Sequence, residues 1–107
     1  MSDANVEISA EEKARLEKLN AEFLKAKDNS EVLPKKPSND EKLKLYSLYK
    51  QGTVGDNNTE KPSAFSFERK YMWDAWTKLK GMKPEEAKQQ YIDFVKELEE
   101  KFKEEMK

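Results

Sequence analysis

The chain has 107 residues, of which 40% are charged and 36% hydrophobic, with 21 Lys and Arg against 22 Asp and Glu. This length suffices for one small domain, and the low glycine and proline content favours helices over a sandwich or barrel. Because the chain contains no Cys and no His, it lacks disulfides, thiolate nucleophiles, Cys-based metal sites, the usual metal ligand and imidazole proton transfer, so catalysis would have to rest on carboxylates, lysines, tyrosines or hydroxyls. The sequence shows no nucleophile motif, and we predict neither a catalytic nor a metal site.

The charges are unevenly distributed along the chain. Residues 35–80 carry ten Lys and Arg against six Asp and Glu, a balance of +4, whereas residues 1–34 sum to −3 and residues 81–107 to −2. An anionic ligand is therefore expected in the middle of the chain, but duplex DNA usually requires a stronger basic surface, so no nucleic-acid partner is predicted. No apolar leader is present and no stretch approaches the roughly 18 apolar residues of a membrane span, which predicts a soluble cytoplasmic protein without stable membrane insertion.

The first helix is predicted to begin early and to end near residue 30. Ser9 and Glu12 have the spacing of a capping box, in which each side chain bonds the backbone N–H of the other. Helix-disfavouring residues at positions 28–30 predict a kink or a stop. An apolar stripe marks the buried face of this helix and continues past its end: Leu16, Leu19, Phe23, Ala26 and Leu33.

The second helix, predicted to begin after the cap Ser38, carries the pattern that packing explains least. Four of its side chains recur at a spacing that places them on one helical face: Leu43, Tyr46, Tyr49 and Lys50. In one interpretation the tyrosines border the core and the lysine is solvated. In the other they form a binding platform, because phenol rings stack on a base, hydroxyls donate to phosphate and an ammonium neutralises it. The pattern alone leaves both interpretations open.

A loop over residues 52–66, rich in turn-forming residues, follows the second helix, and loops of this length are often functional. The third helix is predicted over residues 67–81, with Gly81 as its stop. Trp73 and Trp76 lie one turn apart on it and are expected to anchor the core.

The fourth helix is predicted to begin with Pro84, a residue suited to the first helical position. Its apolar stripe extends to Phe102, and Tyr91 lies on that stripe, so periodicity alone predicts Tyr91 to be a core residue. Beyond Leu98 the residues are mostly Glu and Lys, and we expect the helix to fray there.

Three stretches together resemble the acyl-CoA-binding protein family: "YSLYKQGTVGDNNTEKPSAF", "WDAWTKLKG" and "EEAKQQYIDFVKEL". The resemblance runs without a gap from about Phe23 to Leu98, and the motifs Y-x-x-Y-K-Q-x-T-V-G-D, W-D-A-W and A-x-x-x-Y-I carry it. It implies an all-α, up-down-down-up four-helix bundle. Ser9 and the stripe at Leu16 and Leu19 lie before the matched region and predict that the first helix of this chain is extended. We expect the domain over residues 21–102, between an N-terminal extension over residues 1–20 that becomes helical near residue 9 and a charged tail over residues 103–107.

The resemblance also implies a function and a site. The expected ligands are medium- to long-chain fatty acyl-CoA thioesters, held without a cofactor by a non-enzymatic monomeric carrier and pool former that meets acyl-CoA-using enzymes transiently. Tyr46, Tyr49 and Lys50 match the residues that contact the adenine nucleotide and its 3′-phosphate. Tyr91 matches a tyrosine beside the ligand, and Leu43 is expected to line the groove.

Three positions depart from the family pattern, because other residues stand where the family usually has lysine: Glu31, Glu68 and Met72. Three phosphate-facing cations are therefore absent. We expect Arg69, which lies three residues before Met72 on the same helical face, to replace the missing contact, with Lys35 or Lys36 as a second candidate. The alternative function is a helical protein-interaction module whose acyl-CoA site has decayed.

Overall fold

The computed structural model describes residues 9–63 and 65–106, and within them it contains four α-helices and no strand: α1 (Ala10–Ser30), α2 (Asn39–Thr53), α3 (Phe67–Thr77) and α4 (Pro84–Glu105). The all-α prediction is confirmed. Residues 1–8 of the predicted N-terminal extension lie outside the described residues, as do Ala64 of the predicted loop and Lys107 of the predicted tail. None of the described helices is both long and apolar enough to cross a membrane.

Serine side chains fix the starts of α1 and α2. The Ser9 hydroxyl accepts the backbone N–H of Glu12 at 3.0 Å, but the Glu12 carboxylate bonds the Arg15 guanidinium, so only half of the predicted capping box forms at α1. At α2 both halves are present, because the Ser38 hydroxyl accepts from Glu41 at 3.1 Å and the Glu41 carboxylate accepts from Ser38 at 2.8 Å. α1 stops at the predicted helix-disfavouring residues.

α3 ends four residues before Gly81, the stop that the sequence predicted. After Thr77 the backbone bonds shorten to a three-residue spacing, as between the Leu79 N–H and the Trp76 carbonyl at 3.0 Å, which tightens the chain into successive turns. Gly81 lies within the last of those turns, which the Met82 N–H closes on the Leu79 carbonyl at 2.9 Å, and its φ is +95°, a conformation that glycine adopts without steric cost.

α4 does not fray beyond Leu98, contrary to the prediction, but continues to Glu105. Its last turns pack on the rest of the protein because the Phe102 side chain is only 3% exposed. An ion pair between Lys35 and Glu105, at 2.9 Å, joins the connector before α2 to the last turn of α4. The charged end of the sequence is thus a packed helix through residue 105.

The helices form a row in the order α1, α4, α2, α3, since α4 contacts both α1 and α2 while α3 packs on α2.

The contacting pairs of α1 and α4 run in the same order along both helices, which are therefore parallel: Arg15 with Glu85, and Ser30 with Tyr91. The pairs of α2 and α4 run in opposite order: Glu41 with Lys101, and Gly52 with Lys88. α2 and α3 share cavity walls in the same order: Leu43 with Tyr71, and Lys50 with Trp76. These directions give the predicted up-down-down-up arrangement.

The hydrophobic core lies among α1, α2 and α4, and its buried side chains all come from these three helices. The largest contribution is from α4, through Tyr91, Ile92, Phe94, Val95 and Leu98. α3 supplies a single buried residue, Trp76, outside that core. The row of helices is therefore well packed on one side and open between α2 and α3.

A buried hydrogen-bond network fixes the loop that follows α2. The fully buried Gln51 donates to the Asp56 carboxylate at 3.0 Å and to the Met82 carbonyl at 2.7 Å. The same carboxylate oxygen accepts the Gly81 N–H at 2.9 Å. The Gly81 N–H and then the Gln51 amide lower the pKa of Asp56, because hydrogen bonds to a carboxylate favour its ionised form. Two residues of the Y-x-x-Y-K-Q-x-T-V-G-D motif, Gln51 and Asp56, thus have structural roles.

Candidate functional site: the cleft between α2 and α3

The parallel helices α2 and α3 leave a cleft that contains two cavities of different chemistry. The larger, about 590 Å³, has walls from Leu43, Tyr71 and Met72 and will be called the apolar cavity. The smaller, about 350 Å³, is lined by aromatic and basic side chains and will be called the aromatic cavity. Met72 lines both, so the two cavities adjoin at this side chain.

The apolar cavity has a polar border as well as apolar walls. Asn39 and Asp40 from the first turn of α2, Lys42 one turn on, and Glu68 from the first turn of α3 line it. Glu68 is one of the positions where a lysine was expected, so this border carries two carboxylates and one ammonium.

The aromatic cavity places basic groups beside ring faces. Tyr46 and Lys50 from α2 face Arg69 and Trp73 from α3 across it. The Lys50 ammonium lies 4.9 Å from the centre of the Trp76 ring, close enough for a cation–π interaction. The cavity can therefore stack on a planar ring and neutralise an anion at the same time.

The two tryptophans of α3 have different roles. Trp76 is buried, as predicted, and its indole N–H donates to the Gly55 carbonyl at 2.8 Å. Trp73 was also expected in the core but is half-buried and lines the aromatic cavity. Its indole N–H donates to the Thr59 carbonyl at 3.2 Å, which holds the ring in place against the loop.

The structure divides the platform that the sequence predicted on α2. Leu43, Tyr46 and Lys50 face the cleft, whereas the Tyr49 ring stacks on Phe23 of α1 with centroids 5.5 Å apart. The prediction that all four share one face is therefore wrong for Tyr49. On a helical wheel it lies about 60° from Tyr46 on the side away from Lys50, enough to turn it toward α1 and α4.

Tyr91 belongs to the same aromatic cluster as Tyr49. Its ring is 5.2 Å from Phe23 and 5.9 Å from Tyr49, and the residue is 2% exposed. The Tyr91 hydroxyl donates to the Ser30 hydroxyl at 3.1 Å, and burial raises the pKa of Tyr91 above its ordinary value. The core role predicted from periodicity is confirmed.

Two of the positions where the family usually has lysine, Glu31 and Met72, each lie near another cation. Glu31 pairs with Lys27 at 2.8 Å, and the Lys27 ammonium also lies 5.5 Å from the centre of the Tyr49 ring. Glu31 raises the pKa of Lys27, which keeps that ammonium charged next to the aromatic cluster. Arg69 is exposed and lines the aromatic cavity with Met72, whereas Lys35 is engaged with the last turn of α4.

Sequence reasoning did not find the contribution of the loop before α3. Thr59, Glu60 and Pro62 line the aromatic cavity, and the length of the loop was the only signal for a function there. Asn57 holds this loop to α3, because its amide donates to the Thr77 hydroxyl at 3.0 Å. Among the described residues, no group of three or more acidic, His or Cys side chains could hold a metal ion.

These features define a class of protein: an all-α bundle with a two-part cleft between parallel helices, aromatic and basic at one end and apolar at the other. The family model described as acyl CoA binding protein matches residues 20–95, and the chain belongs to this family.

Relatives from fungi and plants are similar over most of their own length. "Acyl-CoA-binding protein" of Saccharomyces cerevisiae is 54% identical over 66 residues, which cover 62% of this chain and 76% of that protein. "Acyl-CoA-binding protein" of Gossypium hirsutum is 48% identical over 80 residues, covering 75% and 90%. The crystal structure of Oryza sativa Acyl-CoA-Binding Protein 2 has a TM-score of 0.75 at 43% identity, covering 78% of this chain and 90% of that one.

Proposed function

We propose that this protein binds medium- to long-chain fatty acyl-CoA thioesters in the cleft between α2 and α3 and acts as an intracellular carrier and pool former for them. The observation that carries the proposal is the pair of adjoining cavities that share Met72. A fatty acyl-CoA has the same two-part chemistry, a purine nucleotide with phosphates at one end and a hydrocarbon chain at the other. Membership of the family and the names of the relatives support this ligand class.

The aromatic cavity receives the nucleotide in this proposal. Tyr46 and Trp73 offer ring faces, and stacking of a base on an aromatic side chain contributes about 1–3 kcal/mol. Lys50 and Arg69 bind the phosphates, with hydrogen bonds to charged groups contributing about 1.5–3 kcal/mol each. Arg69 thereby supplies a cation next to Met72, where the family usually has lysine.

Tyr49 and Tyr91 remain proposed ligand contacts on the neighbouring side of α2. Tyr49 is half-buried, and the Lys27 ammonium lies over one face of its ring. Tyr91 supports the Tyr49 ring from within the core. Their proposed role is to present the Tyr49 phenol and the Lys27 ammonium to the part of the nucleotide that extends out of the aromatic cavity to the α1 side of α2.

The apolar cavity receives the acyl chain. Leu43, Tyr71 and Met72 form its walls, and each methylene removed from water contributes up to about 0.8 kcal/mol. Eight further methylenes would thus add up to about 6 kcal/mol, which favours long chains over short ones. The Met72 side chain continues the apolar wall of this cavity to the point where the two cavities adjoin.

The protein acts by binding and release, without catalysis. We propose a cytoplasmic monomer that shields the thioester and its chain from water and meets acyl-CoA-using enzymes transiently. The alternative is a protein-interaction module with a degenerate acyl-CoA site. It is favoured by Glu68 and Asp40 at the border of the apolar cavity and by the absence of a lysine at position 72.

Calorimetric titration with hexadecanoyl-CoA, run beside free CoA and free hexadecanoate, tests the proposal. The expected result is tight one-to-one binding of the thioester, weaker binding of either part alone, and an affinity that falls as salt screens the contacts of Lys50 and Arg69. A protein that is folded by circular dichroism and binds none of the three ligands would exclude the carrier and support the interaction module.

A further inference from the structure

The far end of the cleft, opposite the aromatic cavity, has an acidic border. Because α2 and α3 are parallel, their first turns lie at the same end, and these turns contribute Asp40 and Glu68 to the border of the apolar cavity. The aromatic cavity lies toward the other ends of both helices, where Lys50 and Trp76 line it. A ligand that lies along the cleft with its anionic end in the aromatic cavity therefore meets carboxylates at its other end.

The charges at this border are not neutralised by ion pairs. Asp40, Lys42 and Glu68 are exposed, and no ion pair between described residues includes any of them. Two carboxylates and one ammonium leave a balance of −1. Arg69 follows Glu68 in the sequence but lines the aromatic cavity rather than this one. We call Asp40 and Glu68 the border carboxylates.

The border carboxylates also offset a second source of charge. A helix N-terminus carries a partial positive charge and favours an anion, and the N-termini of α2 and α3 meet at this border. A carboxylate in the first turn of each helix occupies this favourable position itself. A ligand anion at the border thus gains little from either N-terminus and lies next to charges of its own sign, which repel it.

The border lies within reach of a bound acyl chain. Asp40 is six residues before Tyr46, which lines the aromatic cavity, and six residues span about 9 Å along a helix. An extended carbon chain advances about 1.2 Å per bond. The end of an acyl chain of about eight to ten carbons therefore lies at the border when its CoA group occupies the aromatic cavity.

We infer that Asp40 and Glu68 make the cleft selective for acyl chains that end in an uncharged group and against chains that end in a carboxylate. The inference rests on the proposed function, because it requires the acyl chain to lie in the apolar cavity. A terminal methyl group has no charge to repel. A terminal carboxylate gives up part of its hydration next to like charges, so the selectivity comes from an unfavourable contact with the wrong ligand.

Titration calorimetry with decanoyl-CoA and with the CoA monothioester of decanedioic acid tests this selectivity. The two ligands share the CoA group and the chain length and differ only in the terminal carboxylate. The dissociation constant of the dicarboxylic thioester divided by that of decanoyl-CoA therefore reports on the border. The variant is Glu68→Lys. The matched control is Glu11→Lys, because Glu11 is an exposed carboxylate in the first turn of α1, at the other end of the row of helices.

We expect the wild-type protein to bind decanoyl-CoA about three- to tenfold more tightly than the dicarboxylic thioester, with a ratio that falls toward one as salt screens the carboxylates. Glu68→Lys should lower the ratio to about one or below, and Glu11→Lys should leave it unchanged. A wild-type ratio of about one, or the same ratio in Glu68→Lys, would overturn the inference and leave the proposed function intact. Equal lowering by Glu11→Lys would also overturn it, because the effect would then follow the net charge of the protein.

Failure of the folded wild-type protein to bind either thioester would overturn both the inference and the proposed function, and this result differs from failure of the inference alone. Circular dichroism shows that each variant is folded. Because Glu68→Lys reverses a charge that stabilises the start of α3, Glu68→Gln together with Asp40→Asn is the second variant. It removes both carboxylates with little change in shape and should likewise lower the ratio toward one, and an unchanged ratio in this variant would equally overturn the inference.

Discussion

α4 buries seven of its residues, whereas α3 buries only Trp76. The two helices nevertheless flank the same partner, α2, one on each side. On the α4 side the space is filled by interlocking apolar side chains. On the α3 side it holds the two cavities.

Directional bonds hold α3 where packing does not. The Trp76 indole bonds the Gly55 carbonyl, and the Asn57 amide bonds the Thr77 hydroxyl. Such bonds set the distance and orientation of a helix without filling the space beside it. A chain with a small core can thus be well packed on one side of a helix and keep an open cleft on the other.

The largest expected effect is on the packed side. Phe102→Ala should lower the free energy of unfolding by about 3–5 kcal/mol, because it removes a buried ring from the last turns of α4. Phe65→Ala removes the same ring from a 95% exposed position and should change stability by less than about 0.5 kcal/mol. Urea unfolding measures both, and an equal loss in the two variants would contradict the packing described for α4.

The next effect is on the cleft side and concerns binding rather than stability. Arg69→Ala should weaken hexadecanoyl-CoA binding by about 1.5–3 kcal/mol, roughly ten- to a hundredfold, because it removes a cation from the phosphate end. The control is Lys70→Ala, since Lys70 is already paired with Asp74 at 3.1 Å. Calorimetry gives the affinity and thermal unfolding gives the stability. Unchanged affinity and salt dependence in Arg69→Ala would exclude this role for Arg69.

Gln51→Leu tests the loop network that borders the cleft. The Gln51 amide nitrogen donates to the Asp56 carboxylate and to the Met82 carbonyl, while the Gln51 Oε1 atom is buried without a partner among the described residues. The substitution leaves the Met82 carbonyl unpaired and should destabilise the protein by about 1–3 kcal/mol. Gln89→Leu, at an exposed position on α4, is the control. If Gln51→Leu is as stable as the wild type by urea unfolding, the network does not hold the loop.

The smallest expected effect is a dependence on pH. The folded pKa of Asp56 is lowered, so its ionised form stabilises the fold at neutral pH, and this contribution disappears as the pH falls through the folded pKa. Asp56→Asn should therefore be less stable than the wild type at pH 7, and the difference should shrink below about pH 4. Thermal unfolding at several pH values measures this, with the exposed Asp28→Asn as control. A difference that does not vary with pH would contradict the assignment.

Helix number, helix starts and most core positions follow from local patterns. Ser38 and Pro84 marked the starts of α2 and α4, and the apolar stripe of α4 matched its buried residues. These features could be predicted because capping and helical periodicity are set by neighbours within one turn. The order of the helices in the bundle came from the family resemblance.

Features that depend on contacts between helices could not be predicted in this way. Periodicity placed Tyr49 with Tyr46, and only the position of α1 shows that Tyr49 turns away from α3. α4 continues past Leu98 because Phe102 is covered by distant parts of the chain. Trp73 lines a cavity rather than the core because α3 has no second packing partner.

Nuclear magnetic resonance titration of isotope-labelled protein with hexadecanoyl-CoA tests most directly whether the cleft between α2 and α3 is the binding site. We expect the largest chemical-shift changes at the Trp73 indole N–H and at the backbone amides of Tyr46, Lys50, Arg69 and Met72. Free CoA should move the signals of the aromatic cavity alone. Saturable binding that leaves the signals of the cleft unchanged would show that the ligand binds elsewhere on the protein.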